Sequence, residues 1–384
     1  MTIRPASVAE LCHLVKDASA TRQSLYPVGG RTQSHWLNAI SKPGMTIEMT
    51  GINRLIDFAS DDMTVTIETG MSMQALQNVL QEKRMWLPLD VPELDKATVG
   101  GSLAANVNGP RQTGYGTWRD YLLGLNWVND QGEHVKAGGR VVKNVAGYDF
   151  CKLMIGSFGT LGIITQVTLK VKPLPEATSV ATGAIPDTNI KSWSHRLLGS
   201  GLRPTVCVLS KNITDDWTVT IGFEESKAAV EWQVTMLMQK ILPDATILQD
   251  HVARQQLDDF ATKLQYKAEL SFLAQLPRGQ GAAFTLRVAP HASGLCYQPY
   301  TGIVTGTLIV TNLAEATQRV NTLRQYTHEH GGWLLLPACP PDWRHNLQPF
   351  GAPRCDWNLM RHVKRTLDPQ NLFQPERFEV LHGE

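Results

Sequence analysis

Between Pro92 and Pro175 the glycines come in tight sets: Gly100-Gly101, Gly109, Gly114 with Gly116, Gly138-Gly139, Gly147, then Gly156, Gly159 and Gly162. Small residues fill the gaps and apolar β-type runs flank them. Glycine has no Cβ to hold a neighbour off and tolerates φ > 0, so such a stretch lets backbone come within hydrogen-bond distance of something large and polar. A similar pair, Gly29-Gly30, sits far upstream in LYPVGGRTQSHW. Two such loops from distant parts of one chain imply a long ligand gripped at several points.

A length of 384 residues is too great for one ordinary core, so two domains are expected. Hydrophobic content of 42% with 18% charged residues describes a globular protein with ample core material. A formal net charge of +1 gives no field that would argue for nucleic acid or anionic lipid. No apolar run approaches the roughly eighteen residues of a spanning helix. The start, MTIRPASVAELCHLV, does not read as a signal peptide, because Glu10, His13 and Lys16 interrupt helically spaced apolar residues. The 6 cysteines are scattered and form no CxxC, which argues against an iron–sulfur cluster or structural zinc held by this chain and fits a reducing cytoplasm.

The pattern is α+β. Ser7 to Glu10 reads as a capping box opening an amphipathic helix. Leu25 to Val28 is a strand feeding Gly29-Gly30, and Met45 to Met49 and Met63 to Glu68 are further strands. A helix follows Gly70 and ends near Lys83. Leu122 to Val128 and the turn at 129–132 predict a hairpin. Asp149 to Met154 is a short helix and Ile163 to Val171 a strand, closed by Pro173 and Pro175. This divides the chain into 1–175, a cap of 176–345, and a C-terminal segment of 346–384. In the cap, Val206 to Leu209, Thr218 to Phe223, Phe284 to Val288 and Gly302 to Val310 read as strands. Ser226 to Lys240 and Glu315 to His330 read as helices over one face of a mostly antiparallel sheet. Trp333 and Leu334 to Leu336 read as core. The tail is helical from Trp357 to Leu367 and breaks at Asp368-Pro369.

Thr98-Val99-Gly100-Gly101-Ser102 places two glycines ahead of a helix-competent run, an arrangement suited to an anion such as phosphate. Gly29-Gly30-Arg31-Thr32-Gln33 offers a second nest. No GxxxxGK[ST] occurs, which excludes a P-loop. GSFGTLG precedes a strand instead of joining strand to helix, so a nicotinamide-type Rossmann fingerprint does not apply. Charge-assisted hydrogen bonds contribute about 1.5–3 kcal/mol each. Micromolar affinity needs roughly 8 kcal/mol, so several backbone contacts and a buried ring system suffice without a covalent link.

The order VGGRTQ, DVPELDKATVGGSLAANVNGPRQTGYG, VVKNVAGYDFCKLMIGSFGTLGIITQVTLKVKPLP and RHVKRTLDPQNLFQPERF resembles the FAD-binding fold of the p-cresol methylhydroxylase and vanillyl-alcohol oxidase family. Within that family it is similar to the FAD-binding (E) subunits of bacterial glycolate oxidases. The resemblance covers Leu25 to Pro175 and the last thirty residues. It implies a two-subdomain PCMH-type FAD-binding domain, an α+β cap, and a tail that returns to the FAD domain. It also implies the site: Gly29, Gly30, Arg31, Thr32 and Gln33 as the first pyrophosphate loop, and Thr98, Gly100, Gly101, Ser102, Ala105 and Asn106 as the second. Gly114, Tyr115 and Gly116 would follow the flavin. Gly147, Tyr148, Asp149, Gly159, Gly162 and Ile163 would line the remaining wall.

Three departures stand out. Relatives that attach FAD covalently carry histidine directly after Gly-Gly; here the residue is Arg31, and His35 lies four residues further on. This implies non-covalent FAD, with His35 an ordinary loop histidine. Many relatives that oxidise D-2-hydroxy acids carry glutamate in the Gly-x-x-Gly-x-x-Gly turn, where this chain has Phe158. Their HxGDGNxH metal segment has no counterpart here, so no metal is expected.

Oxidising a 2-hydroxy acid needs a cation for the carboxylate, a base for the hydroxyl proton and a hydride acceptor. His251, Arg287, His291, His328, His330, Arg344, His345 and Arg354 are available, and no spacing singles one out as catalytic. His328 and His330 sit two apart at a helix C-terminus, where they complement its dipole rather than pair on a metal.

Three functions follow. One is an FAD-bearing subunit of a glycolate (2-hydroxy acid) oxidase complex, partnered by a catalytic FAD subunit and an iron–sulfur subunit, cytoplasmic and at most peripheral at the membrane. Another is a stand-alone FAD oxidoreductase acting on D-lactate or another hydroxy substrate. The remaining one is a binding protein that has lost its flavin.

Overall fold

The computed structural model describes the chain except for residues 35, 37–41, 140–147, 212–215, 264–269, 353, 376, 378–384 and the side chains of 261–263. Two compact units result. The first comprises Met1–Asn108, Gly116–Leu174 and Pro353–Glu384, and the second Gly109–Tyr115 and Pro175–Ala352.

In the first unit the helix Val8–Thr21 starts as its sequence dictates. Ser7 Oγ accepts from Glu10 N at 3.2 Å, while the Glu10 carboxylate reaches back to Ala6 N at 2.8 Å, one residue further than a standard box. Leu11, Val15 and Ala18 recur at helical spacing and are buried. Arg22, at φ 55, ends the helix in the left-handed conformation. Its apolar face packs with Leu25, Ile47, Met49, Val128, Ile163, Leu372 and Phe373.

Two larger sheets support the unit, beside a short pairing of Met85–Trp86 with Lys172–Pro173. Ser24–Val28 pairs in parallel with Gly44–Glu48, in the register Ser24 to Gly44 and Val28 to Glu48, and Thr2–Ile3 adds a short parallel edge. The other sheet is antiparallel, in the order Leu55–Ala59, Thr64–Glu68, Ile163–Lys170, Leu122–Val128, His134–Gly138. Its hairpin turns at Asn129, whose side chain accepts from Gln131 N and Glu133 N.

The tail belongs to this unit. After the helix Trp357–Leu367, Leu25 N donates to Leu372 O at 2.8 Å and Gln374 N to Leu25 O at 2.9 Å. Phe373 is fully buried, worth about 1.5–3 kcal/mol of apolar burial.

The second unit is built on one antiparallel eight-stranded sheet. Its order is Thr246–Gln249, Ala177–Ile185, Trp217–Glu225, Val206–Lys211, Ala292–Gln298, Ile303–Leu308, Ser271–Gln275, Trp333–Ala338. Period-two alternation sends Cys207 and Leu209 to a face covered by Ile190–Leu198, Lys227–Lys240, Gly281–Val288 and Leu313–Glu329. Val206 and Val208 point to the other face, where Ala253 and Leu257 of the helix Asp250–Lys263 cover them. Helices therefore lie on both faces, not on one.

Two further expectations are corrected. Phe284–Val288 lies within the helix Gly281–Val288, because Gly281, Phe284, Thr285 and Val288 are all buried on one helical stripe. The β-rich composition of a five-residue window concealed that period. Trp333 is 37% exposed, while Leu334 and Leu336 are buried beside it. No helix among the described residues is long and apolar enough to cross a membrane.

Candidate functional site

The strand Ser24–Val28 delivers Gly29-Gly30 directly onto the loop that precedes the short helix Val99–Ala104. A Cβ on Gly29 would strike Thr98 Oγ1, and one on Gly30 would strike the carbonyl oxygen of Lys96. A Cβ on Gly100 would come within 2.7 Å of Thr69 Cβ. These three glycines are required first by loop meeting loop. Thr98 Oγ1 itself accepts from Gly101 N at 3.2 Å, and Thr69 Oγ1 is fixed on Ile164 O at 2.6 Å.

The apposed loops wall an open cleft. It brings together Gly29, Gly30, Arg31, Thr32, Gln33, Thr98, Gly100, Gly101, Ala105, Gly159, Gly162 and Ile163 from the sequence-predicted set. Ser102, Asn106, Gly116, Tyr148 and Asp149 are not on its wall. Tyr148 is exposed, and Asp149 caps the helix Phe150–Met154, where its pairing with Lys152 holds the carboxyl below the ordinary range. Gly114 and Tyr115 belong to the second unit: Gly114 N donates to Thr205 O at 3.2 Å, and the Tyr115 hydroxyl to Glu224 O at 3.3 Å. Gly147 and His35 lie outside the described residues.

The wall also contains Phe158, which the sequence marks as standing in the glutamate place of the glycine turn, and residues that sequence reasoning missed: Pro27, Val28, Ser34, Met49, Thr69, Ala104, Ile164, Gln374 and Arg377. Phe158 occupies the glycine turn at φ 51, its N–H donating to Ala104 O at 2.8 Å and its ring 6.2 Å from that of Trp36. Gln374 and Arg377 come from the tail. A signal for them existed in the sequence. The apolar pair Leu372-Phe373 after the Asp368-Pro369 break has to be buried, which carries the next polar residues to wherever it docks.

Two properties define what the cleft can hold. The described residues of the wall include two arginines, Arg31 and Arg377, and no Asp or Glu. The backbone N–H groups of Gly30, Arg31, Thr32, Gln33 and Gly159 make no hydrogen bond to the protein among the described residues. Cations and clustered amide donors suit an anion, and Met49, Phe158, Ile163 and Ile164 give apolar surface for planar rings.

A family model described as an FAD binding domain matches residues 1–138. Residues 1–138 are similar to that domain. The cleft fits FAD: amides and guanidiniums for its diphosphate, apolar side chains for its rings. D-2-hydroxyglutarate dehydrogenase of Xanthomonas citri pv. viticola is 33% identical over 186 residues, 48% of this chain and 39% of that protein. Glycolate oxidase subunit GlcE of Escherichia coli is 34% identical over 135 residues, 35% of this chain and 39% of that protein. The chain thus spans about two fifths of the length of each relative in these matches. A solved structure of alkyldihydroxyacetonephosphate synthase aligns over 97% of this chain and 76% of its own, with a TM-score of 0.70 at 17% identity. That likeness establishes a shared fold, and FAD is the cofactor that the N-terminal domain implies.

Proposed function

We propose that the chain is the FAD-binding subunit of a complex that oxidises glycolate, or a related small 2-hydroxy acid, to the 2-oxo acid, and that it holds FAD without a covalent bond. The observation that carries this reading is the composition of the cleft wall. Arg31 follows Gly30 at the place where covalently attaching relatives present histidine. Phe158 holds the turn position where many catalytic relatives present glutamate. A phenyl ring can neither take nor give a proton, so that turn serves binding and packing rather than acid–base chemistry. Similarity to a glycolate oxidase subunit supports the same assignment.

FAD, when bound, supplies a two-electron acceptor. The chain's own residues bind and orient it. Arg31 and Arg377 would face its anionic diphosphate, and the amides of Gly30 to Gln33 and Gly159 would donate to the diphosphate oxygens. Ile163, Ile164 and Met49 exclude water from the apolar portion. Onward electron transfer falls to an iron–sulfur subunit and substrate oxidation to a catalytic FAD subunit, in the cytoplasm or at the membrane surface through those partners.

Similarity to D-2-hydroxyglutarate dehydrogenase favours a second reading, a stand-alone oxidoreductase for D-lactate or another hydroxy substrate. Anaerobic mixing separates the two. The flavin-loaded chain alone should keep its absorbance near 450 nm with glycolate or D-lactate and lose it only when partner subunits are added. Rapid bleaching by the isolated chain would replace the first reading with the second. Acid denaturation should release all of the flavin into the supernatant; flavin retained on the polypeptide would rule out the non-covalent assignment.

A further inference from the structure

The tail residues Leu372–Pro375 and Arg377 touch the first cofactor loop at both ends. Their backbone extends the parallel pairing at Leu25, just upstream of Gly29-Gly30. Gln374 Nε2 donates to Pro27 O at 3.0 Å, where the loop begins. Arg377 Nη1 donates to Ser34 O at 3.3 Å and Trp36 O at 2.9 Å, where the described part of the loop ends. Arg377 Nε then closes onto Gln374 Oε1 at 3.3 Å. Both side chains are more than nine-tenths buried and both stand on the cleft wall. Gln374 also lies near the second glycine turn, its Cγ 3.9 Å from where a Cβ on Gly159 would be.

One backbone feature marks this contact as more than passive packing. Gln374 sits at φ 46, in the left-handed region that disfavours a side chain with a Cβ. Such a conformation is disfavoured for any residue with a Cβ and persists only where surrounding bonds over-determine it. Here the bonds are those to Pro27 and Leu25, the residues that set the direction of the first cofactor loop.

We infer that Leu372–Pro375 together with Arg377 is a third element of the FAD site, with Arg377 a cofactor-binding residue, and that FAD binding and tail docking stabilise each other. The inference rests on the FAD reading of the cleft. With the tail undocked, the loop loses three carbonyl anchors and the wall loses a guanidinium, so the undocked state binds FAD weakly. A ligand that prefers the docked state must suppress undocking in proportion, up to about 100-fold at an FAD concentration 100 times its Kd.

Hydrogen exchange followed by mass spectrometry on the full chain, with and without FAD, reads this coupling. The amides of Leu25 and Gln374, which pair with one another's strands, should exchange at least about tenfold more slowly with FAD present at that excess. The amide of Ile221, in the sheet of the second unit, is the internal reference. Arg377→Gln should weaken FAD binding by about 10- to 100-fold, the worth of a charge-assisted hydrogen bond, as read by flavin fluorescence titration. Arg377→Lys should recover part of that loss. Flavin uptake by the unaltered chain with no change in exchange at Leu25 and Gln374 would overturn the coupling alone. An unchanged Kd in Arg377→Gln would remove Arg377 from the site. Failure of the unaltered chain to take up FAD would bring down the FAD reading, and the coupling with it.

Discussion

Lys364 Nζ donates to the carbonyl oxygen of Thr160 at 2.7 Å, tying the last helix to the glycine turn at 156–162 across 204 residues of sequence. The same ammonium bonds Phe373 O at 2.9 Å and the Asp368 carboxylate, which in turn accepts from Leu372 N and Phe373 N at 2.8 Å each. Burial pushes the Lys364 ammonium below its ordinary range despite the pull of Asp368. Lys364→Met strands the Asp368 carboxylate in the interior and should destabilise the first unit by about 3–5 kcal/mol in urea titrations. Lys364→Met with Asp368→Asn should cost less than the single change, since no charge is then stranded; equal losses would show that the ion pair is not the reason.

Gly30→Ala drives a methyl group into the backbone carbonyl of Lys96, which has no flexible end to give way. Overpacking of this kind costs about 1–3 kcal/mol, and here it also parts the two cofactor loops. The ratio of flavin to polypeptide after reconstitution should fall well below that of the unaltered chain. Gly139→Ala, where a Cβ meets nothing within 4 Å, serves as the comparison and should leave that ratio unchanged.

Arg111 belongs to the second unit. Its guanidinium is held against the fully buried carboxylate of Glu224 at 3.1 Å and by Asp258 at 2.9 Å. Arg111→Met should cost about 3–5 kcal/mol by leaving Glu224 unpaired. Arg111→Met with Glu224→Leu should recover most of that, a double-mutant comparison readable in thermal unfolding.

The Thr165 hydroxyl donates to Asn126 O at 3.1 Å, so His134 Nε2 must be the donor in its 3.0 Å bond to Thr165 Oγ1. Loss of solvent holds the His134 imidazole below its ordinary value of 6.5. Between that lowered value and 6.5 the unfolded chain binds more protons than the folded one, so stability rises with pH through this window and falls on acidification. His134→Gln should flatten the pH dependence of the unfolding midpoint below pH 6.5; an unchanged slope would assign the acid sensitivity elsewhere.

Local chemistry made much of the first unit readable. Ser7 and Glu10 placed the first helix, alternation placed Thr64–Glu68 and Ile163–Lys170, and the glycine pairs placed the cleft. Phe284–Val288 reads as a strand because its residues include β-formers, while Gly281, the start of the helical stripe, lies outside that five-residue span. The tail's share in the cleft was hidden for another reason. Nothing local to Gln374 encodes Pro27 as its partner, 347 residues away; only the need to bury Leu372 and Phe373 hinted at it. The glycines themselves carried an ambiguity. Close approach was correctly inferred, but for Gly29 and Gly30 the approaching group is another loop of the same protein.

The bond between Gln374 and Pro27 also imposes an order of events at the ribosome. At about 5–20 residues per second, translation separates the two partners by roughly 20–70 seconds. For all of that interval the first cofactor loop exists without the segment that braces it. On the proposed role of the tail, tight flavin capture waits until the polypeptide from Leu372 onward has been made and has threaded back beside a strand synthesised some 347 residues earlier.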